Sequence, residues 1–359
     1  MLQLRSISLT QFKNYGNRSL QFNERIVGIC GNNGVGKTNL LDAIHYLCFT
    51  KSYFTRDLLN IQSGQGGFRV DGELELAGKN EKAVCILRET GKKEFSINDS
   101  SYEKFAAHIG RYPCVIIAPD DIQIITDGSE ERRRFLDALL SQIDKDYLQS
   151  LINYNKILAQ RNSLLKSFYE TGRKDLQLLD VIDEQMQKPG IYIFEVRKKF
   201  LDNFLPKVKD RYSGIAKKVE DIELHYQSEL RQASFIELLQ LNRQRDIASQ
   251  RTTSGVHKDD LILNLTGQLF KNIASQGQRK SLLFALKLAE MDVLKYNKGF
   301  APLLLLDDVF EKLDEDRIAN LLHHVCVKNN GQVFITDTNR ERLGQHLDTL
   351  SINYQLIHL

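Results

Sequence analysis

The stretch Gly31-Asn32-Asn33-Gly34-Val35-Gly36-Lys37-Thr38 constrains the fold more than any other part of the chain. It fits the pattern G-x-x-x-x-G-K-[ST] at every fixed position. The glycines let the backbone wrap closely around a phosphate with its N–H groups turned inward. Lys37 adds a mobile positive charge for β and γ phosphates, and the Thr38 hydroxyl can hold Mg²⁺. Residues 25–30 read as a short buried strand, and behind the loop Leu40, Leu41, Ile44, Leu47 and Cys48 recur at helical spacing. A helix that starts at the loop aims its positive end at the phosphates. Strand, loop and helix in that order imply a bound nucleoside triphosphate rather than a chance glycine turn.

Such a loop needs a carboxylate to hold the metal, and Asp307 is placed for it at the end of the apolar run 302–306. Asp308 follows, points to the other side of the strand end and can polarise an attacking water. An acidic pair also closes plain strands, so this assignment leans on the loop. Far from the loop in sequence, Ser275-Gln276-Gly277-Gln278-Arg279 precedes an amphipathic helix carrying Leu282, Leu283, Leu286, Ala289 and Val293 on one side. Ser275 is a natural N-cap. With the flexible Gly277 and the amide of Gln278, this second helix start can also receive an anion. One site rarely needs two helix ends on opposite sides of a γ-phosphate. Two chains set head to tail do, each offering its serine to the nucleotide held by the other.

Around these motifs the chain changes texture twice. Residues 2–9 alternate as a half-buried strand, Phe12, Lys13, Asn14 and Tyr15 form a turn, and residues 18–23 look like a hairpin partner. Lys13 is either a solvated turn lysine or a side chain leaning over the nucleotide. A polar, aromatic loop with Lys51 and Arg56 follows the first helix. Three period-two segments within residues 68–98 suggest an antiparallel meander, and residues 112–118 read as a strand buried on both faces. From Ser129 to about Leu205 helical spacing dominates, first from Phe135 to Leu158, then in a block from Leu176 to Met186 and another from Ile191 to Phe204. This predicts an inserted lobe of three or four long helices. Its basic runs, Arg132 to Arg134 and Arg197 to Lys199, read as a solvated helix face, and Arg132 to Arg134 could instead contact DNA phosphates or brace the lobe. Strands are expected again at 222–227 and 260–265, with a helical segment at 235–247 between them. The polar run ending in His257, Lys258, Asp259 and Asp260 reads as a loop-to-strand junction. The next strand after Asp308 ends in Thr336 and Asp337.

The order of phosphate loop, S-x-G-Q, leucine run with Asp-Asp and a following Leu313-Asp314 turn resembles the motif set of ABC-type ATPases. Within them the chain resembles the SMC-like branch, and there the RecF family of bacterial recombination mediators. The shared pattern also includes Phe12 to Tyr15, Ala118 to Asp121, Arg133 to Asp137 and His257 to Asp260. The resemblance implies an α/β fold: an ABC-type P-loop ATPase head of mixed sheets and helices with an inserted helical lobe. It divides the chain into head residues 1–120, lobe residues 121–215 and head residues 216–359. ATP and Mg²⁺ are the implied cofactors. ATP-dependent homodimerisation, binding to duplex or gapped DNA and cooperation with RecO and RecR in loading the RecA recombinase are the implied activities. Carried over, residues 31–38 bind the nucleotide and Thr38 and Asp307 hold the metal. Asp308 and Lys37 serve hydrolysis, and Ser275, Gly277 and Gln278 form the signature.

The sequence departs from this pattern in four places. Asp308 stands where most ABC ATPases have Glu. Thr336, Asp337 and Thr338 occupy the region of the expected switch histidine. No glutamine ends the strand at 112–118, leaving Gln123 as the substitute. Val256 stands where proline is expected. A transporter's nucleotide-binding subunit and a small-molecule phosphotransferase are the alternatives. The long insertion argues against the first and the Ser275 element against the second. A net charge of +3 over 359 residues confines any nucleic-acid surface to a local patch. Five scattered cysteines without a C-x-x-C pair, and no apolar run of eighteen residues, predict buried thiols in a cytoplasmic protein without a membrane span.

Overall fold

Period-two alternation and helical periodicity both recur along the chain, and each of its two units combines strands and helices. The structure is a computed structural model describing residues 1–216, 220–310 and 315–359. It forms two compact units: residues 1–121 with 286–359, and residues 122–285. In chain order the first unit opens with strands β1 (Leu2–Phe12), β2 (Tyr15–Gln21) and β3 (Ile26–Cys30), then helix α1 (Lys37–Phe49). Strands β4 (Phe68–Leu76), β5 (Lys79–Leu87), β6 (Lys93–Ile97), β7 (Ser100–Ser101) and β8 (Cys114–Ile117) follow.

The second unit holds helices α2 (Gln123–Thr126), α3 (Ser129–Ile143), α4 (Lys145–Thr171) and α5 (Leu176–Ala216). Strand β9 (Ile222–Gln227), helices α6 (Phe235–Leu241) and α7 (Arg243–Ser249), strands β10 (Asp260–Leu265) and β11 (Gln268–Leu269) and helix α8 (Phe270–Ile273) complete it. Helix α9 (Gln276–Lys298) begins in this unit and ends in the first. The chain then closes the first unit with β12 (Leu303–Leu306), α10 (Glu315–Leu322), β13 (Val333–Asp337), α11 (Arg340–Asp348) and β14 (Tyr354–His358).

Two sheets build the first unit. The antiparallel one has the order β2-β1-β4-β5-β6-β7 and contains the expected meander. The other is parallel, β14-β3-β13-β12-β8, with continuous apolar strands buried along their whole length at β3, β12 and β8. Apolar residues of both sheets and of α1 make one core, which includes Leu4, Leu9, Val70, Ile44, Leu47, Ile29 and Leu305. Because α1 contributes apolar side chains all round, it is buried on nearly every face. The hairpin partner starts earlier than expected, since Phe12 already pairs with Tyr15 and leaves only Lys13 and Asn14 in the turn.

In the second unit α4 and α5 pack antiparallel. Phe168 and Leu179 share one apolar cluster, Arg161 meets Asp183, and Arg197 meets Tyr147. The blocks expected from Leu176 to Met186 and from Ile191 onward are one helix, and α5 runs continuously through Pro189 and Pro206. Tertiary packing overrides the proline there: a Cβ on Gly190 would sit 2.3 Å from the Phe235 ring, so that helix face is pressed directly onto α6. The segment expected as one helix at 235–247 is divided at Asn242 into α6 and α7. Strands β9 and β10 do not join either sheet of the first unit. They pair with β11 in a separate antiparallel sheet of order β11-β10-β9. The segment 216–285, expected with the head, therefore packs with the helices. Its anchors are Arg132 of α3 on Asp260 and Arg197 of α5 on Asp259.

Candidate functional site

Parallel register brings the chemistry of the first unit to one sheet edge. Leu306 pairs with Ile117 on one side and Ile335 on the other, while Asp337 pairs with Cys30. The carboxyl ends of β3, β12 and β13 thus release Gly31, Asp307 and Asp337 at the same edge, where ligands of open α/β sheets bind.

The loop is held in shape by its own lysine and by two side chains from the preceding hairpin turn. Lys37 is buried, and its Nζ donates to the Gly31 carbonyl at 2.9 Å and to the Asn32 carbonyl at 3.1 Å. Asn14 Nδ2 donates to the Val35 carbonyl at 2.9 Å and Tyr15 Oη to the Gly36 carbonyl at 3.0 Å. Asn39 of α1 donates to Asn14 Oδ1 at 2.8 Å. Gly36 has φ +112, and a Cβ there would lie 2.6 Å from Asn14 Nδ2 and 2.9 Å from Tyr15 Oη. Only glycine meets both demands. Asn32, Asn33 and Gly34 stay exposed and Val35 is half-buried, leaving the crown of the loop open to a ligand.

Lys13 takes neither of its two expected places. Its Nζ lies 2.6 Å from Asp42 Oδ2, a fully buried carboxylate of α1, and over the Phe54 ring at 5.5 Å. Burying a carboxylate without a partner is costly, and Lys13 supplies the charge.

Asp307 is 3 % exposed and receives two hydroxyls. Thr38 Oγ1 lies 2.9 Å from its Oδ2, and Thr336 Oγ1 donates to its Oδ1 at 2.9 Å. The Asp308 N–H in turn donates to Thr336 Oγ1 at 2.8 Å, with the Asp308 backbone in the left-handed region at φ +42. Burial pushes the Asp307 carboxyl above its ordinary range, the two hydroxyls and Lys37 pull it back, and Asp308 adds to the rise. A buried carboxylate against the loop hydroxyl is a pair of hard oxygen donors that fits Mg²⁺. That ion uses one or two protein oxygens and takes the rest from phosphates and water. No cluster of three or more His, Cys, Asp or Glu able to hold a metal occurs among the described residues.

At the expected switch position Thr336 is fully buried against Asp307. Asp337 is occupied by Arg342 at 2.6 Å and by the Asn339 N–H at 2.8 Å. The Leu313-Asp314 turn lies outside the described residues. Sequence reading singled out neither Asn14 and Tyr15 as braces nor Thr336 as the link between the two aspartates. The clues were the Phe12 to Tyr15 turn and the strand end at Thr336.

The second element lies in the second unit. Ser275 Oγ accepts from the Gln278 N–H at 3.2 Å, and Gln278 Oε1 accepts from the Ser275 N–H at 2.8 Å. This reciprocal capping box opens α9. Gln278 Nε2 donates to Glu220 at 3.1 Å, so the Gln278 amide is engaged at both ends. Ser275 is exposed, the first turn of α9 carries no acid, and Arg279 and Lys280 follow, all of which suits an anion. Gln123 is exposed at the start of α2. Of the three consecutive arginines, Arg132 is a brace: it is buried, forks onto Asp260 and donates to the Asp127 carbonyl. Arg134 is exposed beside Glu130 and Glu131.

All five cysteines are buried and none forms a disulfide. Among the described residues no helix is long and apolar enough to cross a membrane.

Comparison with known proteins gives a consistent result. The RecF/RecN/SMC N terminal domain family matches residues 3–355. The DNA replication and repair protein RecF of Flavobacterium johnsoniae is 41% identical over 359 residues, covering 100% of both chains. A solved structure of the recombination mediator protein RecF with ATP, in the RecFOR pathway, superposes with a TM-score of 0.87. It is 30% identical, over 94% of this chain and 92% of that one. An Smc head domain from Pyrococcus furiosus, 17% identical with a TM-score of 0.55 over 96% of this chain and 92% of that one, shares the fold.

Proposed function

Because the chain belongs to the RecF family of DNA replication and repair proteins, we propose that its phosphate loop binds ATP and that ATP joins two copies on DNA. One observation carries this reading. The Thr38 hydroxyl, the buried Asp307 carboxylate and the Thr336 hydroxyl form one hydrogen-bonded line beside a loop already closed by Lys37. A plain strand end has no reason to bury a carboxylate against a glycine-rich loop.

In this reading Lys37 and the loop N–H groups receive the ATP phosphates, and Thr38 and Asp307 hold Mg²⁺. The bound metal draws charge off the β and γ phosphate oxygens. Lys37 leaves its two carbonyl partners for phosphate, exchanging neutral acceptors for charged ones. Asp308 orients the attacking water, and its backbone is fixed through Thr336. Residues 1–121 with 286–359 act as the ATPase head, and residues 122–285 carry the signature Ser275. That serine, at an exposed and acid-free helix start, meets the γ-phosphate held by a second copy. Hydrolysis then releases the dimer from duplex or gapped DNA. In this reading the protein works in the cytoplasm with RecO and RecR in loading RecA, which agrees with a solved relative being a mediator of the RecFOR pathway.

The test is self-association measured by light scattering with ATP, with and without duplex DNA. Association that needs ATP and is lost in Lys37→Arg and in Ser275→Arg supports the reading. Association indifferent to ATP rejects it.

A further inference from the structure

The run from Arg251 to Asp260 is a motif that the nucleotide site leaves unused. The structure assigns three of its four closing residues to internal bracing. His257 accepts or donates at 2.8 Å with Tyr154 Oη and at 3.1 Å with the Thr252 carbonyl. Burial lowers it to about 4, so it is neutral at physiological pH. Asp259 is buried against Arg197 and Tyr226, and Asp260 is forked by Arg132. Only Lys258 of the four is exposed.

Lys258 does not stand alone. Arg251, at the other end of the same loop, is exposed, and its N–H is tied to the Asp246 carbonyl of α7 at 3.2 Å. Arg245 is exposed on α7 itself. Arg133 of α3 donates to the Asp259 carbonyl at 2.6 Å, next in sequence to Lys258. The side chains of Arg245, Arg251 and Lys258 make no ion pair or hydrogen bond among the described residues. Burial, then Arg251 and Arg133, lower Lys258, while Arg245 adds to the repulsion and Asp246 opposes it. Asp246 is fully buried and already holds Arg161 and Thr253. Three cations on three separate elements therefore crowd Lys258, and the nearby carboxylates face inward to other partners.

We propose that Arg133, Arg245, Arg251 and Lys258 form a binding site for the phosphate backbone of duplex DNA. This rests on the DNA-binding reading above and gives it a location in the second unit. Cations spread over a helix, a second helix and a loop suit an extended polyanion better than a single small anion. Arginine and lysine contacts of this kind position a duplex without reading its sequence. The backbone between Arg251 and Lys258 is anchored by the His257 bond to the Thr252 carbonyl and by the Asp246 bond to the Thr253 N–H, so both cations project from a tied-down loop.

The experiment compares the full chain with the Arg251→Gln/Lys258→Gln double variant. Duplex affinity is measured with ATP at several salt concentrations on two unrelated sequences. Two lost phosphate contacts should lower the salt slope by about 1.8 and the affinity by about 60-fold at 0.1 M salt, equally for both sequences. ATP-driven self-association and thermal stability should be unchanged, because neither side chain has an internal partner. Arg251→Lys/Lys258→Arg should restore binding. A double variant with the parent's affinity and slope overturns the site. So does one that keeps DNA but loses binding to polyglutamate, which would make the surface a contact for acidic protein. A parent protein that binds no duplex with ATP overturns the DNA reading itself, a result distinct from failure of the variant alone.

Discussion

Replacing Thr336 by Val tests the least expected part of the nucleotide site. The substitution keeps the shape of a fully buried side chain and removes one hydroxyl. That hydroxyl donates to Asp307 at 2.9 Å and accepts from the Asp308 N–H at 2.8 Å. A hydrogen bond to a charged acceptor contributes roughly 1.5–3 kcal/mol and a neutral one about 1 kcal/mol. The Asp308 amide is half-buried and recovers part of its loss from water, so the expected net cost is about 2–3 kcal/mol. For a unit of this size that is a fall of roughly 5–10 °C in Tm. Asp307 keeps only the Thr38 hydroxyl and is free to turn about it, which should weaken Mg²⁺-dependent ATP binding about tenfold. The pH dependence carries the sign. The Asp307 carboxyl already lies above its ordinary range, and the Thr336 hydroxyl is one of the groups holding it down. Without it the carboxyl rises further, so protons compete with the metal from a higher pH. Fluorescent ATP-analogue titrations between pH 5 and 8 should show affinity falling earlier on acidification in Thr336→Val than in the parent, with Thr336→Ser close to the parent. Superimposable pH profiles for Val and parent would refute the role given to Thr336.

Lys37→Arg should leave the fold intact and sharply reduce both turnover and ATP-driven association, since a planar guanidinium does not replace a compact ammonium; unchanged turnover would remove the loop from the site. Gly36→Ala should lose nucleotide binding and about 2 kcal/mol or more of stability, measured by urea unfolding, because its Cβ meets Asn14 and Tyr15 in a left-handed backbone. Ser275→Arg should bind ATP as a monomer yet fail to associate, and normal association in analytical ultracentrifugation would end the two-chain site. Glu290 is buried beside Lys287, which lies 3.4 Å from Asp121, and burial raises Glu290 to about 7. Its folded value exceeds its unfolded one, so its contribution is full below about pH 4.5 and is lost as pH rises through about 7, by up to about 3 kcal/mol. Glu290→Gln should flatten stability between pH 5 and 8, and an unchanged urea-midpoint slope would contradict this.

The elements that were legible share one property: their signal is local. The loop, the helix behind it, the leucine run before Asp307 and the Ser275 cap are each written in a dozen neighbouring residues. The meander was equally plain from alternation. What escaped depends on partners distant in sequence. Strands β9 and β10 look like any head strands until Arg132 and Arg197, more than 60 residues away, claim Asp260 and Asp259. The periodicity lapses between Met186 and Ile191, yet packing of Gly190 on Phe235 keeps α5 whole. Lys13 gave no hint of Asp42, because a buried carboxylate facing back across a hairpin leaves no pattern in the sequence. Thr336 was passed over for the absence of a histidine, when its hydroxyl was the feature that mattered.

That substitution bears on what the site is suited to do. An imidazole at this strand end can take a proton and reach a γ-phosphate. A threonine hydroxyl engaged by Asp307 and by the Asp308 amide does neither without releasing both. Asp308 is also one methylene shorter than the glutamate common in ABC ATPases, and its left-handed backbone is fixed through that same hydroxyl. Lys37, Thr38 and Asp307 are already assembled around the loop, while the side chain proposed to activate water is short and restrained. On the proposed reading such a site holds ATP longer than it takes to cleave it. Slow cleavage lengthens the joined state, and a joined state that outlasts diffusion is what a protein needs to wait on DNA for its partners. On that reading the hydroxyl that orders the Asp307 carboxylate would also restrain hydrolysis, and the two effects could not be tuned separately at Thr336.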